Sequence, residues 1–200
     1  MVARGRRDGG SGPDHRGDRR RLHRPGHPPQ GGCPHVSPTR TASDVVALAS
    51  ELGLTVATGE SLTAGMVASA LAEVAGASAV LQGGIVAYQI AVKHELLGVD
   101  AELLAKAGAV DARVAEAMAV GARTALSADI GVATTGVAGP APHEGKPVGT
   151  VFTAVSTRSG TRAFEHHFDG DRDSIRTASR DAVLTELLDV LSRGTNSARG

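Results

Sequence analysis

Residues 54–76 read LTVATGESLTAGMVASALAEVAG. Leu54 to Thr58 is a short apolar run carrying β-branched residues, the composition of a buried strand, and a small-residue run at helical spacing follows and closes at Gly76. The spacing predicts a strand and then a helix over 62–76, with Glu60, Ser61 and Thr63 at the corner between them. A strand that turns at once into a helix is the building unit of an α/β sheet, and in such sheets ligands gather beyond the carboxyl ends of the strands.

The flanking sequence extends the pattern. SDVVALASELG (43–53) predicts a helix with Ser43 as N-cap and Gly53 closing it. GGIVAY (83–88) predicts a second strand, AVKHELLG and AELLAKAG two short helices, and DARVAEAMAVGARTAL (111–126) a longer one with an apolar stripe. DIGVATTG (129–136) predicts a third strand, VGTVFTAVST and TRAFEHHFD a hairpin about Arg158-Ser159-Gly160, and RDSIRTASRDAVLTELLDVL (172–191) the closing helix. The expected fold is a three-layer α/β/α domain with a mixed, mainly parallel sheet and a late antiparallel hairpin.

The 200 residues are 41% hydrophobic and 21% charged, which suits one globular domain. Residues 1–41, rich in Arg, Gly and Pro, are expected to be a disordered tail, 42–193 the domain, and 194–200 a disordered end. Net charge is zero, yet residues 1–42 hold nine arginines against three aspartates, which leaves twelve basic and eighteen acidic residues for the rest. Nucleic-acid binding therefore rests on the tail alone, whose arginines lack the aromatic interleaving of a single-strand platform; a solvated tail is the expectation. No apolar run reaches the ~20 residues that span a bilayer and no secretory signal is visible, so a cytoplasmic location is expected. Cys33 has no cysteine partner, and His166 and His167 are adjacent on an expected strand and point to opposite faces. GPAPHEGKP lacks the spacing and the hydroxyl of a P-loop. No metal and no cofactor are expected.

Ser61 is either the cap of the following helix or a nucleophile whose oxyanion rests on the turn N–H groups of Leu62 to Gly65. A capping box would place Glu or Gln at position 64, where the chain has Ala64. A serine nucleophile needs a base, and a buried lysine can serve. Of the three lysines, Lys93 follows a strand by one short turn, five residues after Tyr88, the only tyrosine. The bland readings are a surface lysine and a core aromatic. Arg172 and Arg176, four apart at a helix start, are placed to grip a phosphate together or to pair locally with Asp171 and Asp173.

Taken together, ATGESLTAG (57–65), GASAVLQGGIVAYQIAVKHELLGV (76–99), AGAVDARVAEAMAVGAR (107–123), ATTGVAGP (133–140), KPVGTVFTAVS (146–156) and FDGDRDSIR (168–176) resemble the C-terminal domain of the competence/damage-inducible CinA proteins, the family that includes nicotinamide mononucleotide amidases. The likeness runs from about Ser43 to Leu191. It implies metal-independent hydrolysis of the carboxamide of nicotinamide mononucleotide to nicotinate mononucleotide and ammonia, a step of pyridine nucleotide salvage. By the same resemblance Ser61 is the nucleophile, with Lys93 and Tyr88 as its proton-handling partners. Substrate contacts are then expected from Glu60, Thr63, Ala64 and Gly65 at the corner, from Thr135, Gly136 and Gly139, and from Arg172 or Arg176 on the 5′-phosphate. A homo-oligomer is expected.

The chain departs from the family pattern in three places. ESLTAG stands where ESCTGG is usual, APHEG shortens an acidic glycine-rich stretch, and Gln89-Ile90-Ala91 stands where a Ser-Asn pair is frequent. The alternative function is a non-catalytic nucleotide-binding or regulatory module linked to competence or DNA damage.

Overall fold

The computed structural model describes residues 38–197, with side chains over 41–193. Of the expected disordered ends, residues 1–37 and 198–200 lie outside the described residues. Helix α1 spans Pro38–Glu51, so it starts upstream of Ser43. Proline is compatible with a first helical turn, and Ala42, Val45, Val46 and Ala49 form the stripe that α1 buries. The closing helix, α6 (Arg172–Ser197), runs past its expected end at 191.

Strands β1 (Val56–Glu60), β2 (Leu81–Val86), β3 (Ile130–Gly136), β4 (Thr150–Thr157) and β5 (Gly160–His167) form one sheet in the order β2-β1-β3-β4-β5. β1 runs parallel to both neighbours, whereas β3–β4 and β4–β5 are antiparallel. All five residues of β1 are buried, because helices cover the sheet on both faces. On one face lie α1, α2 (Met66–Ala72) and α6, meeting the sheet through Val45, Leu71, Leu184 and Leu187. On the other lie α3 (Ile90–Leu97), α4 (Ala101–Ala107) and α5 (Ala112–Ala125), packed through Leu97, Leu104, Val114 and Met118. Aliphatic side chains and alanines make up nearly all of this core, as the shortage of aromatics requires. Two glycines let backbone meet backbone: a Cβ at Gly131 would strike the carbonyl of Ala119, and one at Gly121 the carbonyl of Leu97.

Topology then places the site. The chain leaves β1 towards β2 on one side, and leaves β3 towards β4 on the other. A crevice opens beyond carboxyl ends whose connections diverge in this way. Ser61 follows β1, and Thr134 and Thr135 end β3, so the two lips of that crevice carry hydroxyls. Among the described residues, no helix is long and apolar enough to cross a membrane.

Candidate active site

The corner after β1 differs from the expected direct entry into a helix. Ala64 and Gly65 have φ of 51° and 98°, left-handed values that interrupt a right-handed hydrogen-bond ladder, so α2 starts at Met66 and not at residue 62. Glu60 then takes the place of a cap. Its side chain is 1% exposed, and its carboxylate accepts from the hydroxyls of Thr58 (3.1 Å) and Thr63 (2.8 Å) and from the N–H groups of Gly65 (2.8 Å), Val67 (3.1 Å) and Ala68 (2.9 Å). An anion at a helix N-terminus is stabilised by the unpaired N–H groups and the dipole. Here the chain's own carboxylate fills that position. Glu60, Thr63, Ala64 and Gly65, expected as substrate contacts, direct these polar groups to one another and to the backbone. The N–H of Gly65 is spent on Glu60, that of Ala64 on the carbonyl of Ser61 (3.1 Å), and the Thr63 hydroxyl on Glu60 and Thr134. None of the four lines the cavity described below.

Ser61 itself continues the strand direction, donating its N–H to the carbonyl of Thr134 at 2.9 Å. Its hydroxyl lies 3.0 Å from Nζ of Lys93, thirty-two residues away in sequence. Lys93 stands in the first turn of α3, faces inward, and is 1% exposed, the bulkiest fully buried side chain among the described residues. Its amine also donates to the carbonyls of Ala87 (2.7 Å) and Tyr88 (3.3 Å). No carboxylate pairs with it among the described residues. Burial therefore lowers its pKa from 10.5 to about 8, against a smaller opposing pull from Glu144. As an ammonium it donates three bonds to three acceptors. On losing one proton it keeps two N–H bonds for the two carbonyls and turns a lone pair to the Ser61 hydroxyl, which is the arrangement a serine-activating base needs.

Ser61 and Lys93 form the floor of a cavity of about 350 Å³, within the range of small-ligand sites. Thr135, Gly136, Gly139, Tyr88 and Arg172 line it as well. Arg172 donates to the carbonyl of Gly139 (2.8 Å) and to the Tyr88 hydroxyl (2.9 Å), both neutral acceptors, so its charge is unneutralised among the described residues. The Tyr88 side chain is half-exposed, with its hydroxyl on Arg172 rather than on Ser61 or Lys93. Arg176 is turned elsewhere: its guanidinium donates to the carbonyls of Leu62 (2.8 Å) and Thr63 (3.1 Å), bracing the turn, and the expected joint grip with Arg172 is not formed. Sequence reasoning missed Ala109, Val110 and Pro142, which also line the wall, as does His143. Ala109 and Val110 have apolar side chains that carry no chemical signal; His143 was legible as the one histidine of the 137–149 loop.

A family model described as the CinA C-terminal domain matches residues 38–191. A CinA-like protein of Anaeromyxobacter dehalogenans is 53% identical over 146 residues, 72% of this chain and 35% of that protein. Another of Frankia casuarinae is 49% identical over 153 residues, 76% of this chain and 35% of that protein. The chain thus spans about a third of the length of the curated relatives it matches. Among solved structures, the competence/damage inducible protein CihA of Agrobacterium tumefaciens superposes with a TM-score of 0.73 at 39% identity, covering 78% of this chain and 95% of that one. A CinA superfamily protein of Klebsiella pneumoniae gives 0.77 at 30% identity, covering 79% and 99%. The match extends over most of the chain in sequence and in fold, and the chain belongs to the CinA C-terminal domain family.

Proposed function

We propose that this domain hydrolyses the carboxamide of nicotinamide mononucleotide to nicotinate mononucleotide and ammonia, with Ser61 as nucleophile and Lys93 as its base. The observation that carries the reading is the 3.0 Å approach of a buried lysine amine to a serine hydroxyl at the floor of a cavity. The neutral amine of Lys93 takes the Ser61 proton as the oxygen attacks the amide carbon, giving a tetrahedral intermediate. Of residues 62–65, Leu62 alone lines the cavity, so its N–H is the donor of that turn assigned to the oxyanion. The Lys93 ammonium then returns the proton to the departing nitrogen, ammonia leaves, and the acyl ester on Ser61 is cleaved by water deprotonated by the same amine.

Arg172 supports a mononucleotide over a free amide. It is the arginine on the cavity wall, its charge is unpaired, and a fork of N–H donors suits a phosphate. Arg172→Ala is expected to raise KM for the mononucleotide by about ten- to a hundredfold, the loss of a charged hydrogen-bonding group, and to leave the riboside nearly unchanged. Steady-state kinetics on the two substrates check this.

The decisive experiment follows ammonia release and the one-dalton mass gain of the pyridine product across nicotinamide, its riboside and its mononucleotide. Turnover of the mononucleotide supports the reading. Tight binding of the mononucleotide without turnover would instead establish a non-catalytic nucleotide-binding module on the same fold.

A further inference from the structure

The loop over 137–149 closes one wall of the cavity through a tight turn. His143 and Lys146 exchange backbone hydrogen bonds of 3.1 and 2.9 Å, and the two residues between them, Glu144 and Gly145, have φ of 50° and 73°. A two-residue turn with both central residues left-handed favours Asn-Gly or Asp-Gly. A glutamate in that position breaks the local rule, and departures of this kind concentrate at functional positions.

The Glu144 side chain accounts for the departure. It reaches across to the junction of α4 and α5, where its carboxylate accepts the N–H of Ala109 at 2.6 Å. Gly108 makes room for it: a Cβ there would collide with the Glu144 carboxylate. The carbonyl of the same Ala109 accepts the Thr135 hydroxyl at 2.7 Å. Three walls of the cavity, the loop, the Ala109–Val110 segment and the end of β3, are thus joined through one residue.

Resting on the amidase reading, we infer that Glu144 is a positioning residue of this site, whose carboxylate clasps the 137–149 loop to the Ala109–Val110 wall. Other titratable or charged groups around Lys93 are Tyr88 before α3, His94 and Glu95 on it, His143 on the loop and Arg172 on α6. α5 meets α3 near Leu97 through apolar residues, Met118 and Ala122. The Glu144 carboxylate partly offsets the effect of burial on the Lys93 amine and so favours its ammonium form.

Two variants separate the clasp from the charge. Glu144→Gln keeps a carbonyl oxygen for the Ala109 N–H and loses the charge, so the acid limb of kcat/KM moves to lower pH while KM holds. Glu144→Ala loses both, so the limb moves in the same direction and KM for the mononucleotide rises about tenfold as the wall loosens. The charge is also readable without turnover. The chain has three lysines, Lys93, Lys106 and Lys146, so ¹³C-lysine labelling gives three Cε resonances, and the Lys93 titration midpoint falls in Glu144→Gln. An unchanged KM in Glu144→Ala, or an unchanged Kd for the mononucleotide where no amide is hydrolysed, overturns the inference. A Kd for the mononucleotide that weakens in Glu144→Ala, in a protein that turns over no amide, sustains the clasp and rejects the amidase reading instead.

Discussion

Ser61→Ala is expected to remove the proposed hydrolysis of nicotinamide mononucleotide, with kcat falling by about 10⁴- to 10⁶-fold, the range seen when a serine nucleophile is deleted. The protein still folds and still binds the mononucleotide. The two halves of that expectation come from different atoms of one residue. The backbone N–H of Ser61 holds the corner to β3 through Thr134, and alanine keeps that bond. The hydroxyl contacts the Lys93 amine, and its loss removes the attacking oxygen. A serine acting only as a cap would instead cost about 0.5–2 kcal/mol of stability and leave turnover intact. The helix cap here is already supplied by Glu60, whose carboxylate takes three N–H groups at the start of α2. Single-turnover ammonia release together with calorimetric titration of the mononucleotide checks both halves, and turnover near wild type in this variant removes Ser61 from the mechanism.

Lys93 carries the second large effect. Lys93→Met is expected to lower kcat by about 10³- to 10⁴-fold, and Lys93→Arg gives no rescue, because a guanidinium stays charged at neutral pH and cannot accept the Ser61 proton. With the amine near pKa 8, about one molecule in ten holds the neutral base at pH 7. The wild-type kcat/KM therefore rises about tenfold per pH unit below that value and levels off above it. Stability changes with the same group in a definite direction. The folded pKa lies below the unfolded 10.5, so between pH 8 and 10.5 the unfolded chain binds the extra proton and raising the pH favours the folded state. Below pH 8 the penalty for burying the ammonium is present in full, up to about 3 kcal/mol. Denaturant midpoints of wild type and Lys93→Met across pH 7–10.5 test this: their difference should shift in favour of wild type as pH rises, and a flat difference denies the perturbed amine.

Much of the fold is local and was legible in sequence. A strand after α1, the helices closed by Gly98 and Gly108 and the 158–160 hairpin each follow from periods and turn residues within a dozen positions. Several boundaries were not: β1 lies at Val56–Glu60, β2 at Leu81–Val86, α2 ends at Ala72 and α6 at Ser197. Helix α1 starts at Pro38 because apolar contacts extend to Ala42, and α2 starts at Met66 because Ala64 and Gly65 adopt left-handed conformations that no side-chain pattern signals.

At the site, Ser61 and Lys93 were singled out by residue type and by the family resemblance. Their meeting at 3.0 Å depends on the order β2-β1-β3, which brings the turn after β1 beside the helix after β2. Arg172 and Arg176 look equivalent as a pair four apart, yet one lines the cavity and the other braces carbonyls 113 and 114 residues away. Glu60 sits beside the nucleophile and reads as a ligand contact, whereas its carboxylate caps a helix. Glu144 reads as one charge in a turn-rich loop, whereas it joins Ala109, thirty-five residues earlier, to the opposite wall.

The sequence by itself determined the class of fold, the corner at residues 60–65 and the residue types available for chemistry, because periodicity and turn propensity act between near neighbours. The tertiary structure alone decided which of those side chains face the cavity and which are consumed in holding it open. That choice follows from hydrogen bonds and desolvation between segments tens of residues apart, whose partners exist only once the sheet has formed.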